Sequence, residues 1–143
     1  MLFRSKLWSL YKYWKDKTGP GTSPIAESGG FLSTQKGLAA PDVQFHFIPA
    51  MVIDHGRTKL NKSGYSLHVC TLRPESKGTI RLASSDPTAA PLIDANYLAE
   101  RKDLDTLIAG VKMGRDILAQ TGLDPYRADE YLPGSGVDRK AHV

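Results

Sequence analysis

The sequence predicts an α+β fold, an antiparallel β-sheet flanked by helices. Two segments, residues 2–16 and 103–120, repeat apolar residues with the 3.6-residue period of a helix. Between them lie runs that alternate apolar and polar residues, bounded by proline and glycine. The links between these runs are short, and short links favour antiparallel neighbours. The chain of 143 residues is the size of one domain, or of a piece of a larger one. It is 41% hydrophobic and 24% charged, which excludes disorder along its whole length. No stretch approaches the roughly 18 apolar residues of a membrane-spanning helix.

In residues 2–16, Phe3, Leu7, Leu10, Tyr11 and Trp14 make one stripe, and Thr18-Gly19-Pro20-Gly21 ends the helix. The same segment holds the charge asymmetry. Arg4, Lys6, Lys12, Lys15 and Lys17 stand against Asp16 alone, leaving fourteen charges of each sign in the remainder of the +4 chain. The helix has two readings. It packs its stripe on the rest of the protein, as most such stripes do. Alternatively it rests on an anionic membrane with Trp8 and Trp14 at the interface. The body of the chain has no basic face, so no nucleic-acid partner is expected.

Residues 19–30 have loop composition, and a short strand is expected from Gly30 to Thr34. Residues 43–50, VQFHFIPA, read as a strand with Val43, Phe45 and Phe47 on a core face and Gln44, His46 and Ile48 on a mixed one. Residues 51–64 form a polar excursion, 65–73 the next strand and 79–84 another. The turn at Pro74–Gly78 is expected to make these last two antiparallel neighbours. Residues 85–97, with two prolines, read as an extended connection. In the second helix, Leu104, Leu107, Ile108, Val111 and Leu118 form the stripe, Asp103 suits the cap and Gly122 the C′ position.

Signatures of chemistry are sparse. The chain has no G-x-S-x-G, no phosphate-binding G-x-x-x-x-G-K-[ST] and no G-x-G-x-x-G. One cysteine, Cys70, excludes a disulfide framework. His68 and Cys70 share a strand face, and His46 could join them as a third zinc ligand. No fourth ligand follows at ligand spacing, no metal is expected, and Cys70 reads as a small core residue. His46 interrupts an apolar strand beside the proline that ends it. It reads either as a pocket acid–base group or as a satisfied histidine at a sheet edge.

A longer run goes further. Arg73-Pro74, Ser76, Gly78-Thr79-Ile80-Arg81-Leu82, Ser84, Asp86-Pro87, Pro91, Ile93 and Asn96-Tyr97-Leu98 stand at fixed spacing. This pattern resembles the C-terminal region of the glucose–methanol–choline (GMC) oxidoreductases. The resemblance continues upstream through Glu27–Phe31 and Pro41–Phe47, and downstream through residues 103–120 and Glu130–Gly134. It covers about residues 5–137, read as a partial substrate-binding domain, with 138–143 as a disordered or unrelated tail. The nearest likeness is to choline-dehydrogenase-like and alcohol-dehydrogenase-like members.

The resemblance implies an FAD-dependent parent enzyme that oxidises a primary alcohol or choline to the aldehyde, with hydride passing to the flavin. It implies that this chain is the substrate domain, with the FAD-binding domain as its missing partner. The family's dinucleotide motif and its catalytic histidine have no counterpart here, and His142 lacks that histidine's neighbours. The chain is therefore expected to be an excised or truncated domain that binds no FAD and is inactive alone. His46 matches a pocket histidine of choline-oxidising relatives that holds the substrate oxygen. Glu27 and Ala26 match a pocket-wall segment. Choline-type members place an aromatic where Ala26 stands, so a neutral alcohol is favoured over a quaternary ammonium. Two further contacts are expected of an orphaned domain: a homodimer through its uncovered face, and a membrane surface through residues 2–16. The expected location is the cytoplasm, with peripheral attachment at the inner membrane. The alternative is a non-catalytic binding module that kept the fold and resurfaced that face.

Overall fold

The computed structural model describes residues 2–54, 57–58, 60, 62–134 and 137. The fold is α+β, as the periodicities predict. Helix α1 runs Leu2–Asp16, strands β1, β2 and β3 run Ser28–Leu32, Val43–Ile48 and Ser66–Thr71, and β4 and β5 run Thr79–Arg81 and Leu92–Asp94. Helix α2 runs Arg101–Leu118, and short 3-10 turns occupy Pro20–Thr22 and Thr121–Leu123. Strands β1–β2–β3 make one sheet and β4–β5 a separate two-stranded one. The expectations for residues 138–143 and His142 lie outside the described residues.

The chain divides into two compact units. Unit 1 comprises Met1–Gly30 and His46–His68, and unit 2 comprises Phe31–Phe45 and Val69–Val143, so each strand of the larger sheet contributes to both. In unit 1, the turn after α1 folds back on the Tyr13 side chain, where a methyl on Gly21 would come within 3.1 Å of Tyr13 Cβ. The Phe47 and Tyr65 rings meet at 5.5 Å. Ser66 donates its hydroxyl to the Ala50 carbonyl at 2.9 Å.

In unit 2, Val43 is fully buried and Phe45 nearly so, which confirms two of the three core assignments. Phe47 is only half-buried. Helix α2 buries Asp103, Gly110 and Gly114, one line along the helix. A Cβ on Gly110 would stand 2.8 Å from Val69 Cγ2 and 3.3 Å from Val43 Cγ1, so only glycine lets the helix lie this close. The apolar stripe read from the sequence is displaced from this line. Leu104, Leu107, Ile108 and Leu118 are half-buried and Val111 is exposed.

Several expectations are corrected. Strand 79–84 does not pair with 65–73. Instead Thr79, Ile80 and Arg81 face Asp94, Ile93 and Leu92 in antiparallel register, within the segment expected to be a plain connection. The five residues Pro74–Gly78 lead away from the larger sheet because Glu75 and Ser76 are tied to the start of α2. Gly78 serves close approach, since a Cβ there would meet the Asp94 carbonyl oxygen at 2.2 Å. Helix α2 begins at Arg101 and ends at Leu118, two residues early at each end. Glu100 is its N-cap residue, without a side-chain cap bond, and Gly122 sits inside the following 3-10 turn. The first strand begins at Ser28, two residues before the expected start. Cys70 is exposed and belongs to no core. The α1 stripe does not pack: Leu7, Leu10, Tyr11 and Trp14 are exposed.

Candidate functional site

The three residues singled out from the sequence all fall in unit 1. His46 stands in β2, half-buried, and its side chain makes no hydrogen bond to a described residue. Ala26 and Glu27 immediately precede β1 and are exposed. Strands β1 and β2 are antiparallel neighbours joined by residues 33–42, and the Asp42 amide donates to the Leu32 carbonyl at the closed end. The start of β1 and the second half of β2 therefore share the open end. Topology brings the Ala26–Glu27 segment and His46 to one end of one hairpin, and no side-chain hydrogen bond joins them among the described residues.

One feature of this segment escaped the sequence reading. Ile25 has φ of 76°, the left-handed region that a β-branched side chain rarely adopts. Its amide is held by the Ser23 hydroxyl at 3.1 Å. Strained backbone of this kind gathers at ligand-binding segments. No apolar periodicity or turn motif signals it.

Unit 2 carries an open groove of about 660 Å³, lined by Leu38, Asp42, Thr71, Arg73 and Asp103 among others, and by neither His46, Ala26 nor Glu27. Its polar groups are already engaged with one another. Asp42 Oδ1 accepts from the Thr34 amide at 2.8 Å and Oδ2 from the Thr34 hydroxyl at 2.5 Å. Burial works against ionisation of Asp42, but the Thr34 donors and the Arg73 charge outweigh it and hold its pKa below the ordinary carboxylate value. Arg73 donates to the Pro41 carbonyl. Asp103 Oδ1 accepts the Glu75 amide at 2.9 Å, and Oδ2 accepts the Ser76 amide at 2.8 Å and the Ser76 hydroxyl. The Ser76 hydroxyl bond and the two amides lower the Asp103 pKa, with Lys102 adding to the effect. Ser76 Oγ also accepts the Glu100 amide at 3.0 Å, which satisfies the helix entry that Glu100 leaves uncapped. Asp103 is thus a clamp on the preceding turn, not the cap of its own helix.

The spaced residues of the 73–98 pattern act as structural fixings. Ser84 accepts the Asp86 amide at 3.2 Å, Asp86 accepts the Thr88 amide at 2.9 Å, and Asn96 Nδ2 donates to the Lys77 carbonyl at 2.9 Å. Downstream, Glu130 pairs with Arg115 at 3.0 Å. No cluster of three or more His, Cys, Asp or Glu side chains suited to a metal occurs among the described residues. A flavin dinucleotide does not fit the groups present. The start of α2, where a diphosphate would seek free amides, carries the Asp103 carboxylate and the Glu100 N-cap. No glycine-rich turn after a strand offers a replacement.

The GMC oxidoreductase family pattern matches residues 74–142. The alcohol dehydrogenase [acceptor] of Pseudomonas putida is 42% identical over 128 residues, covering 90% of this chain and 23% of that protein. Human mitochondrial choline dehydrogenase is 42% identical over 126 residues, covering 88% of this chain and 21% of that protein. The oxygen-dependent choline dehydrogenase of Proteus mirabilis is 37% identical over 84% of this chain and 22% of its own length. Among solved structures, pyridoxine 4-oxidase from Mesorbium loti shares the fold with a TM-score of 0.70, over 80% of this chain and 23% of that one, at 23% identity. The likeness to the GMC oxidoreductases is carried by residues 74–142 and by relatives matched along 84–90% of this chain. The chain spans about a fifth to a quarter of the length of these relatives.

Proposed function

We propose that this chain forms the substrate-side region of an FAD-dependent oxidoreductase acting on the CH–OH group of a primary alcohol or choline. The observation that carries the reading is the 42% identity, along nine-tenths of the chain, to proteins named for alcohol and choline dehydrogenation. The flavin supplies the hydride acceptor when bound, and it is held by residues of the enzyme other than these. His46 is the residue assigned to the substrate oxygen: its unshared imidazole at the hairpin end can donate to or accept from a hydroxyl there. Ala26 and Glu27 form the adjoining wall. Ala26 offers no π face for a quaternary ammonium, so a neutral primary alcohol is preferred to choline. The 143 residues alone bind no flavin and oxidise no alcohol.

Two measurements test this reading. Flavin titrated into the purified chain leaves its absorbance and fluorescence unchanged, whereas saturable binding contradicts the assignment. In a chimera, the matched region of the Pseudomonas putida relative is replaced by this chain and assayed with an artificial electron acceptor. It oxidises a primary alcohol, and His46→Ala lowers kcat/KM by roughly 10²-fold, the usual effect of deleting one donor to a reacting oxygen. An unchanged kcat/KM in that variant removes His46 from the site.

A second reading concerns location. No described helix is long and apolar enough to cross a membrane. Helix α1 nevertheless exposes Leu7, Leu10 and Trp14, with the Lys12 and Lys15 ammonium groups each 5.8 Å from the Trp8 and Tyr11 ring centres. That composition suits an anionic lipid surface. Co-sedimentation with phosphatidylserine vesicles that disappears at high salt supports it, and absence of binding at low salt excludes it.

A further inference from the structure

The β4–β5 ribbon is built with care and left uncovered. Ile80 and Ile93 stand opposite one another across the two strands, so both point to one face, and Leu82 follows two residues on. They are 75%, 67% and 86% exposed. The alternate positions, Thr79 facing Asp94 and Arg81 facing Leu92, put three polar residues and the 60% exposed Leu92 on the other face. The ribbon's near end is fixed twice, by the Gly78 approach to the Asp94–Ala95 backbone and by the Asn96 bond to the Lys77 carbonyl. A two-stranded ribbon is marginal in water without a third strand or a covering element. An apolar face held in one register and meeting nothing is an unfinished interface.

Two copies stacking three aliphatic side chains apiece fall short of the roughly 1,000 Å² that a specific interface needs. The ribbon carries charges of both signs, Arg81 and Asp94, and so has no bias toward an anionic lipid surface. The occupant that fits is the remaining four-fifths of a GMC polypeptide, since this chain spans only 21–23% of the relatives it matches. We infer that the Ile80–Leu82–Ile93 face of the ribbon is the surface on which the flavin-binding portion docks. This rests on the reading of the chain as the substrate-side region of such an enzyme.

The chimera with the Pseudomonas putida relative separates the two ideas. The parent chimera purifies with flavin bound, and a flavin-free product overturns the functional reading itself. With flavin bound, the double variant Ile80→Asp and Leu82→Asp loses at least tenfold of its flavin content, and Arg81→Ser on the opposite face keeps it. Flavin content unchanged in the double variant overturns the docking surface and leaves the functional reading standing. The same pair of changes in the chain alone leaves its circular dichroism unaltered, because both side chains are solvent-exposed there. A loss of secondary structure in that control shows that the face stabilises this chain itself, and overturns the assignment.

Discussion

At the scale of single residues, the carboxylates of unit 2 serve structure. Asp103 gathers two backbone amides and a hydroxyl, and Asp42 gathers an amide and a hydroxyl from Thr34. Both titrate below the ordinary range. A depressed native pKa gives stability that is complete above the unfolded value, about 4, and is lost as pH falls through the native value. The melting temperature therefore falls on acidification below about pH 4. Asp103→Asn melts lower than wild type at neutral pH, and its acid limb is flatter. Parallel acid limbs in a thermal scan contradict the clamp. Gly110→Val, which pushes a branched side chain against Val69 and Val43, destabilises by about 2–3 kcal/mol in a urea titration. None of this was legible in advance. Asp103 at a helix start reads as a cap, because sequence spacing does not show what crosses the helix. His46 was legible as a polar residue on the mixed face of a largely apolar strand, and the structure leaves its side chain without a partner among the described residues.

At the scale of elements, both helices and the strands around Val43, Leu67 and Ile80 follow from periodicity. Pairing does not. Residues 74–78 look like a hairpin link, yet the amides of Glu75 and Ser76 are committed to Asp103, which turns the chain away from β3. Strand β5 is only three residues long, flanked by Pro91 and a left-handed Asn96, too brief to announce itself. The residues that carry the family resemblance prove to be the fixings of this region: Ser76 on Asp103, Gly78 against the β5 backbone, and Asn96 on Lys77. A recognisable pattern here records a shape and says little of the chemistry. Gly78→Ala has no room for its methyl beside the Asp94 and Ala95 carbonyl oxygens. It raises amide exchange across Thr79–Arg81 and Leu92–Asp94 by tenfold or more, while α2 keeps its protection. Exchange rates equal to wild type contradict that close approach.

At the scale of the whole molecule, the chain has a small interior. Val43 and Phe45 are the buried apolar residues among those described, while α1 and the β4–β5 ribbon present leucine, isoleucine and tryptophan to solvent. Composition gave no warning, since 41% hydrophobic residues suffice for an ordinary core. What composition cannot tell is whether those residues meet one another or a surface outside the chain. Relatives about four times as long are similar to this chain along nine-tenths of its length. The central claim is that these residues hold an alcohol while other residues of the enzyme hold the flavin. It is tested most directly by anaerobic mixing of the flavin-loaded chimera with a primary alcohol, following the flavin absorbance. The account predicts bleaching of the oxidised flavin by the alcohol, slowed roughly 10²-fold by His46→Ala. A chimera that binds flavin but is bleached by neither a primary alcohol nor choline would contradict it.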